Sequence, residues 1–166
     1  MHLWIVIGVL ISDQIVKYLV MAYLAVGERI QVFPGFNLVH FKNKGAAFGM
    51  FHDASPTFRL VFFGLVTLVC IVFLVWSLGT SPVWDRFHRL NLSLILGGAL
   101  GNVKDRVFFQ QVTDFLDFYV GDYHWPAFNI ADMAISTGVT LLVLRLLPWE
   151  KIGFRKKRKS SRIKSR

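Results

Sequence analysis

Along the chain, long apolar runs alternate with shorter polar stretches, and the run lengths are those of membrane-crossing helices. A helix needs about 20 mostly apolar residues to cross a hydrocarbon layer about 30 Å thick. Four stretches qualify as predicted spans. They run from about Leu3 to Leu24, Phe58 to Leu78, Leu90 to Phe109 and Phe128 to Leu147. The second carries no charge after Arg59. The third is the weakest, because Asn102, Lys104, Asp105 and Arg106 crowd its second half. The first is read as a retained helix and not a cleaved leader, since Met1-His2 supplies no cation and Asp13 and Lys17 interrupt the apolar run. Between the first two spans, Ile30-Gln31-Val32-Phe33 and Phe36-Asn37-Leu38-Val39-His40-Phe41 are rich in β-formers and are split by Pro34-Gly35. That pattern predicts a short hairpin or small sheet. The fold class expected is a membrane all-α bundle of four helices.

Composition agrees. The 166 residues are 54% hydrophobic and 17% charged, against about half apolar and a quarter charged in soluble domains. The net charge of +9 is not spread evenly. Residues 1–150 hold ten Lys/Arg and ten Asp/Glu, whereas residues 151–166 hold nine Lys/Arg and no acid. This divides the chain into one membrane domain, residues 1–150, and a basic tail, residues 151–166. A basic run directly after a span reads as a cytoplasmic anchor attracting anionic lipid, not as a nucleic-acid site. With four spans, both termini are then cytoplasmic. The loop Gly79–Arg89, holding Arg86 and Arg89, lies inside. The loop Gln110–Ala127, holding Asp114, Asp117 and Asp122 and no cation, lies outside. Arg29, Lys42 and Lys44 in the first outer loop run against the charge rule and are outnumbered by the tail.

The lone Cys70 excludes a disulfide scaffold and reads as a small hydrophobe. The five histidines have no zinc-binding spacing, and no metal or other cofactor is expected.

Ionisable side chains inside spans carry the functional signal. Each costs roughly 2.5–3.5 kcal/mol to insert and so needs a partner, a wet cavity or a task. Asp13 and Lys17 lie one turn apart and can pair on one face, which by itself is as well explained by bundle packing. Gly97-Gly98-Ala99-Leu100-Gly101 permits close helix approach. It leads into Asn102, Asp105 and Arg106, which share a face, with Lys104 pointing elsewhere. Arg106 suits holding a carbonyl or orienting a carboxylate; the plainer alternative is a local Asp105–Arg106 pair. Asn43-Lys44-Gly45-Ala46-Ala47-Phe48-Gly49 offers an amide and small residues for close backbone approach, or simply a polar turn. Asp114 follows the third span and Asp132 opens the fourth, with Asn129 on the same helical face. Both aspartates fall at the outer membrane boundary. Two facing carboxylates share one proton and can hydrolyse a peptide, one activating water and the other polarising the carbonyl. Two aspartates near one interface are common, so spacing alone leaves the matter open. A proton-coupled transporter or membrane assembly subunit remains the alternative, although no inverted repeat or broken helix is visible.

Taken together and in order, Asp13-Gln14-x-x-Lys17, Asn43-x-Gly45-Ala46-Ala47-Phe48, Gly97-Gly98-Ala99-x-Gly101-Asn102-x-x-Asp105-Arg106, Val112-x-Asp114-Phe115 and Phe128-Asn129-x-Ala131-Asp132 resemble the lipoprotein signal peptidase (signal peptidase II) family. The resemblance covers about residues 3–147. It implies a four-helix bundle with a small extracytoplasmic β-rich cradle in the bacterial cytoplasmic (inner) membrane. It implies an aspartic endopeptidase that removes the signal peptide from diacylglyceryl-modified prolipoproteins just before the lipidated cysteine. The implied catalytic pair is Asp114 and Asp132. The implied substrate-binding or supporting residues are Asp13, Lys17, Asn43, Gly45, Asn102, Asp105, Arg106 and Asn129. Prolipoproteins and membrane lipid are the implied partners, the cyclic peptide globomycin the implied inhibitor, and a monomer is expected. Two departures stand out: Gln110-Gln111 occupies a stretch where the family often has Gly, and Lys44 replaces the usual Thr.

Overall fold

The computed structural model describes residues 2–44 and 55–147. Its element order is α1 (His2–Tyr23), β1 (Arg29–Phe33), β2 (Phe36–Asn43), α2 (Pro56–Thr80), α3 (Arg86–Phe109), β3 (Val112–Val120), β4 (Tyr123–His124) and α4 (Ile130–Leu146). Four helices therefore stand where four apolar runs were expected. Only two of the described helices are long and apolar enough to cross a membrane by composition: Leu3–Tyr23, of mean hydropathy 1.8, and Val61–Thr80, of mean hydropathy 2.7. α4 is 17 residues long, and α3 is diluted by Asn91, Ser93, Asn102 and Asp105. All four of those polar residues are buried.

α3 is the hub. It packs against α4, α1 and α2, while α1 also touches α4. Among the described elements α2 packs against α3 alone. Glycines make the close approaches. A Cβ on Gly98 would overlap the Ala131 carbonyl oxygen of α4, and one on Gly97 would come within 2.9 Å of Val9 on α1. Val6, Leu74, Leu92 and Leu96 fill the space between helices. The outward faces stay apolar: Trp4, Leu65, Val69, Phe73 and Trp76 are exposed, as is Cys70.

Helix ends follow local chemistry. Ser55 caps α2 by accepting from the Phe58 N–H at 3.1 Å, with Pro56 opening the helix. Asp85 caps α3 through the His88 N–H and also receives both Arg145 terminal nitrogens, at 2.7 and 2.6 Å. That bidentate pair holds Asp85 down at about 2, chiefly through the Arg145 hydrogen bonds. α3 ends at Gln110, whose φ of 57° is left-handed, with its N–H on the Arg106 carbonyl at 3.0 Å.

The hairpin expected around Pro34-Gly35 forms, and it is half of a larger unit. β1–β2–β3–β4 make one antiparallel four-stranded sheet. Residues Val112–Val120, expected to be a connecting loop, are its nine-residue third strand. β2 pairs β3 with Asn37 opposite Asp117 and Phe41 opposite Asp114, the register shifting between Leu38 and Phe41. A bridge from Leu116 to Phe128 then brings the chain back beside β3 just before α4 starts. This doubling-back delivers the end of α3, the start of β3 and the start of α4 to one place.

Candidate active site

Asp114 is the third residue of β3 and Asp132 the third of α4. Asn129 joins them. It caps α4, its side-chain oxygen accepting from the Asp132 N–H at 2.9 Å, while Asp132 Oδ2 accepts from the Asn129 N–H at 3.3 Å. This reciprocal box fixes which way the Asn129 amide faces. Its Nδ2 therefore points out of the helix and donates to Asp114 Oδ1 at 2.7 Å. Asn43, the last residue of β2, donates to Asp114 Oδ2 at 3.1 Å. From α3, Asn102 donates to Asp132 Oδ1 at 2.8 Å.

Behind the two aspartates lies a buried polar cluster. Lys17 is 1% exposed, and its ammonium meets Asp13 Oδ2 at 2.8 Å, Asp105 Oδ2 at 2.9 Å and Asn102 Oδ1 at 3.1 Å. The Asp13–Lys17 pair is the one expected from spacing. Asp105 pairs with Lys17 across the bundle, a partner 88 positions away that no local pattern reveals. Asp13 Oδ1 accepts from the Ala131 N–H at 2.9 Å, satisfying a free donor in the first turn of α4. Gln14 also belongs to the cluster, reaching Asp13, Asp105 and the Gly101 carbonyl at 3.1, 3.1 and 3.2 Å. It stood inside a quoted motif without being singled out. Gly101 makes room, since a Cβ there would lie 2.8 Å from Asp13 Oδ2.

Arg106 stands on the same helix one turn beyond Asn102. Its guanidinium lies 5.6 Å from the Phe63 ring centroid and 3.5 Å from the Asn102 carbonyl, and it faces the Asp132 and Asp114 carboxylates electrostatically. With Phe63, Gly64, Leu68 and Val103 it lines an apolar cavity of about 260 Å³ between α2 and α3. Lys104 turns away, over the Phe109 ring.

Asp114 is 3% exposed. Burial, and then the nearby Asp132 charge, push its carboxyl up to about 7, against the opposing hydrogen bonds of Asn43 and Asn129. Such a group holds a proton near neutrality, as one member of a shared-proton pair must. Asp117, three residues after Asp114 on the same strand, behaves differently. Burial opposes its ionisation, yet the Asn37 and His124 hydrogen bonds and the Arg29 charge outweigh that and hold it below the usual carboxylate range. It is tied to Asn37 at 2.8 Å and His124 at 2.8 Å.

Nine of the ten residues singled out from the sequence thus meet in one contiguous network: Asp13, Lys17, Asn43, Asn102, Asp105, Arg106, Asp114, Asn129 and Asp132. Gly45 lies outside the described residues, as do the small residues after it and the basic tail. Among the described residues no group of acids, histidines or cysteines has the arrangement of a metal site. Two carboxylates on firm supports, one buried and proton-holding, with amides and a guanidinium beside them, are suited to general acid–base hydrolysis.

Known proteins share this architecture. The family model described as Signal peptidase (SPase) II matches residues 5–148. A lipoprotein signal peptidase of Vibrio parahaemolyticus serotype O3:K6 (strain RIMD 2210633) is 40% identical over 157 residues, 93% of this chain and 88% of that one. One from Syntrophus aciditrophicus (strain SB) is 44% identical over 144 residues, 86% of this chain and 89% of that one. A bacterial membrane enzyme solved by the in meso method at 2.3 Å resolution superposes with a TM-score of 0.80 at 31% identity, covering 95% of this chain and 93% of that one.

Proposed function

The chain belongs to the signal peptidase II family of bacterial membrane proteases, and from that premise we propose that Asp114 and Asp132 are the catalytic pair with which it hydrolyses its substrate. It is an aspartic endopeptidase, and its reaction is removal of the signal peptide from prolipoproteins. The finer reading is that the substrate carries a diacylglyceryl-modified cysteine and that the cut falls just before it.

The observation that carries the reading is the Asn129 bridge: one residue donates to Asp114 and locks Asp132. The ionised carboxylate takes a proton from water as the oxygen attacks the scissile carbonyl. The protonated carboxyl gives its proton to the carbonyl oxygen, leaving a tetrahedral diol. Collapse of the diol returns a proton to one aspartate, while the other protonates the departing cysteine nitrogen as the C–N bond breaks. Arg106 and Asn43 hold the peptide backbone beside the pair. Asp13, Lys17, Asp105, Asn102 and Asn129 support the pair from behind, and Gly45 is assigned to substrate binding.

The same reading makes all four helices transmembrane spans in a single domain, residues 1–150. α3 has 24 residues and so is about 36 Å long at 1.5 Å per residue. Its low hydropathy reflects polar side chains turned into the bundle. The cationic tail, residues 151–166, anchors the C-terminus in the cytoplasm of the inner membrane, with the N-terminus on the same side and the sheet outside. One chain supplies all nine of the described site residues from its helices and sheet, which favours a monomer surrounded by lipid. Globomycin is proposed to compete for the same site.

The test is a gel-shift cleavage assay on purified protein with a diacylglyceryl prolipoprotein. Asp114→Asn and Asp132→Asn each abolish cleavage while remaining folded and membrane-inserted. Substantial turnover by either variant would end the paired-aspartate reading.

A further inference from the structure

Lys17 touches neither carboxylate of the proposed pair, yet it determines how one of them is held. A lysine ammonium has three N–H donors and no acceptor. Here the acceptors are Asp13 at 2.8 Å, Asp105 at 2.9 Å and the Asn102 side-chain oxygen at 3.1 Å, one for each donor. Turning the Asn102 amide over would aim its NH₂ at a buried ammonium. The amide is therefore fixed with its oxygen on Lys17 and its nitrogen on Asp132 Oδ1, at 2.8 Å. As Asp114 does from the Asn129 and Asn43 side chains, Asp132 then has an N–H donor on each oxygen, Asn102 on one and the Asn129 backbone on the other. It also sits in the first turn of α4, where backbone donors and the helix dipole favour negative charge. Asp114 lies on a strand with no helix terminus behind it.

Resting on the paired-aspartate reading above, we propose that Lys17 acts through Asn102 as a positioning residue that keeps Asp132 the ionised member, so that Asp132 activates water and Asp114 carries the proton. Asp114's elevated value, about 7, supports the same division. The charged groups around the pair are Asp13 and Lys17 on α1, Lys42 on β2, and Asp105 and Arg106 on α3. The Lys17 charge is already offset by Asp13 and Asp105. What remains of its field reaches Asp114 and Asp132 alike, so what singles out Asp132 is the orientation of the Asn102 amide.

The assignment fixes how the reaction balances. Water loses its proton to Asp132 as its oxygen bonds to the carbonyl carbon, and Asp114 protonates the carbonyl oxygen. On collapse, Asp132 passes its proton to the leaving nitrogen and the diol returns one to Asp114. Both residues end as they began.

Asn102→Ala is the primary test, because it removes the donor to Asp132 while Lys17 keeps both carboxylate partners. The measurement is kcat/KM against pH on purified enzyme. The acid limb reports the first deprotonation of the pair and moves to higher pH by about one unit. The alkaline limb, where the pair loses its remaining proton, stays in place. At pH values below the acid limb the variant therefore loses about tenfold more activity than it does above it. Lys17→Met, which also removes a charge acting on both aspartates, moves the acid limb in the same direction, and Lys17→Arg, which keeps a donor for Asn102, restores the wild-type acid limb even if turnover is lower. A uniform loss in Asn102→Ala with an unmoved profile would make the network merely structural. Movement of the alkaline limb instead would reverse the assignment. Asn102→Ala decides the matter even where Lys17→Met does not fold. Inactive Asp→Asn variants together with an unmoved profile would sink only this assignment, leaving the paired-aspartate reading intact.

Discussion

Asn129 donates its side-chain N–H to Asp114 across 2.7 Å and cannot turn it away, because its oxygen is held by the N–H that opens α4. A hydrogen bond that elsewhere would merely end a helix here sets the orientation of a carboxyl on a neighbouring strand. Asn129→Asp keeps the helix cap but replaces the donor with a charge facing Asp114. We predict near-complete loss of cleavage together with a lowered melting temperature, because the new carboxylate is fully buried. Asn129→Ala loses both the donor and the cap, at about 1 kcal/mol for the cap. Thermal unfolding in detergent beside the cleavage assay separates the two.

Helix contact distance is the next quantity open to test. Any side chain at Gly98 collides with the Ala131 carbonyl and with Ile135. Gly98→Val should push α4 from α3 and carry Asp132 off the Asn102 amide, costing about 1–3 kcal/mol of stability from overpacking alone. Gly8→Ala is the matched control, since nothing lies within 4 Å of a Cβ there. Equal effects of the two changes on thermal stability and cleavage would contradict the packing account.

The elevated Asp114 value makes a pH prediction with a definite sign. Its folded value is about 7, against 3.8 for an unperturbed side chain. The folded state therefore holds a proton that the unfolded chain has lost. The stabilisation is fully present below about pH 3.8, and it declines as pH rises toward 7. Activity requiring that proton should fall on the alkaline side of about 7. In Asp114→Asn the stability slope over this window should flatten. A slope unchanged in that variant would assign the titration to another group.

Much of this arrangement was legible in residue order, and the omissions have physical causes. The four helices announced themselves as apolar runs, and the first hairpin as β-formers around Pro34-Gly35. β3 was missed because its aspartates are poor strand formers and it follows a helix directly. Its Val-Thr-Asp-Phe-Leu-Asp-Phe-Tyr-Val composition held a signal in the interleaved aromatic and β-branched residues. The pairing of Asp105 with Lys17, in place of its neighbour Arg106, depends on helix packing that spacing cannot encode. Asp117 looked like an ordinary loop acid, yet it is buried opposite Asn37.

The Gln110-Gln111 departure, noted where the family often carries Gly, also acquires a physical meaning. Gln110 occupies the left-handed cap that ends α3. A non-glycine residue in that conformation costs about 1–2 kcal/mol. Gln110→Gly should therefore stabilise the protein by about 0.5–1 kcal/mol after the added freedom of the unfolded chain is counted. Its melting temperature should rise with cleavage retained. A fall in melting temperature would mean that the glutamine side chain supplies a compensating contact.

The isolation of α2 reaches beyond this fold. Only 6% of its most apolar stretch is buried against the described residues, and in the proposed four-span topology most of its packing partners are acyl chains. The helix beside Arg106 thus has a wall made by whatever amphiphile surrounds it. Bilayer thickness, acyl saturation and the choice of detergent become determinants of enzyme behaviour in the same sense as a core side chain. Catalytic measurements made in micelles and in membranes then describe, at α2, two different mutants of one environment.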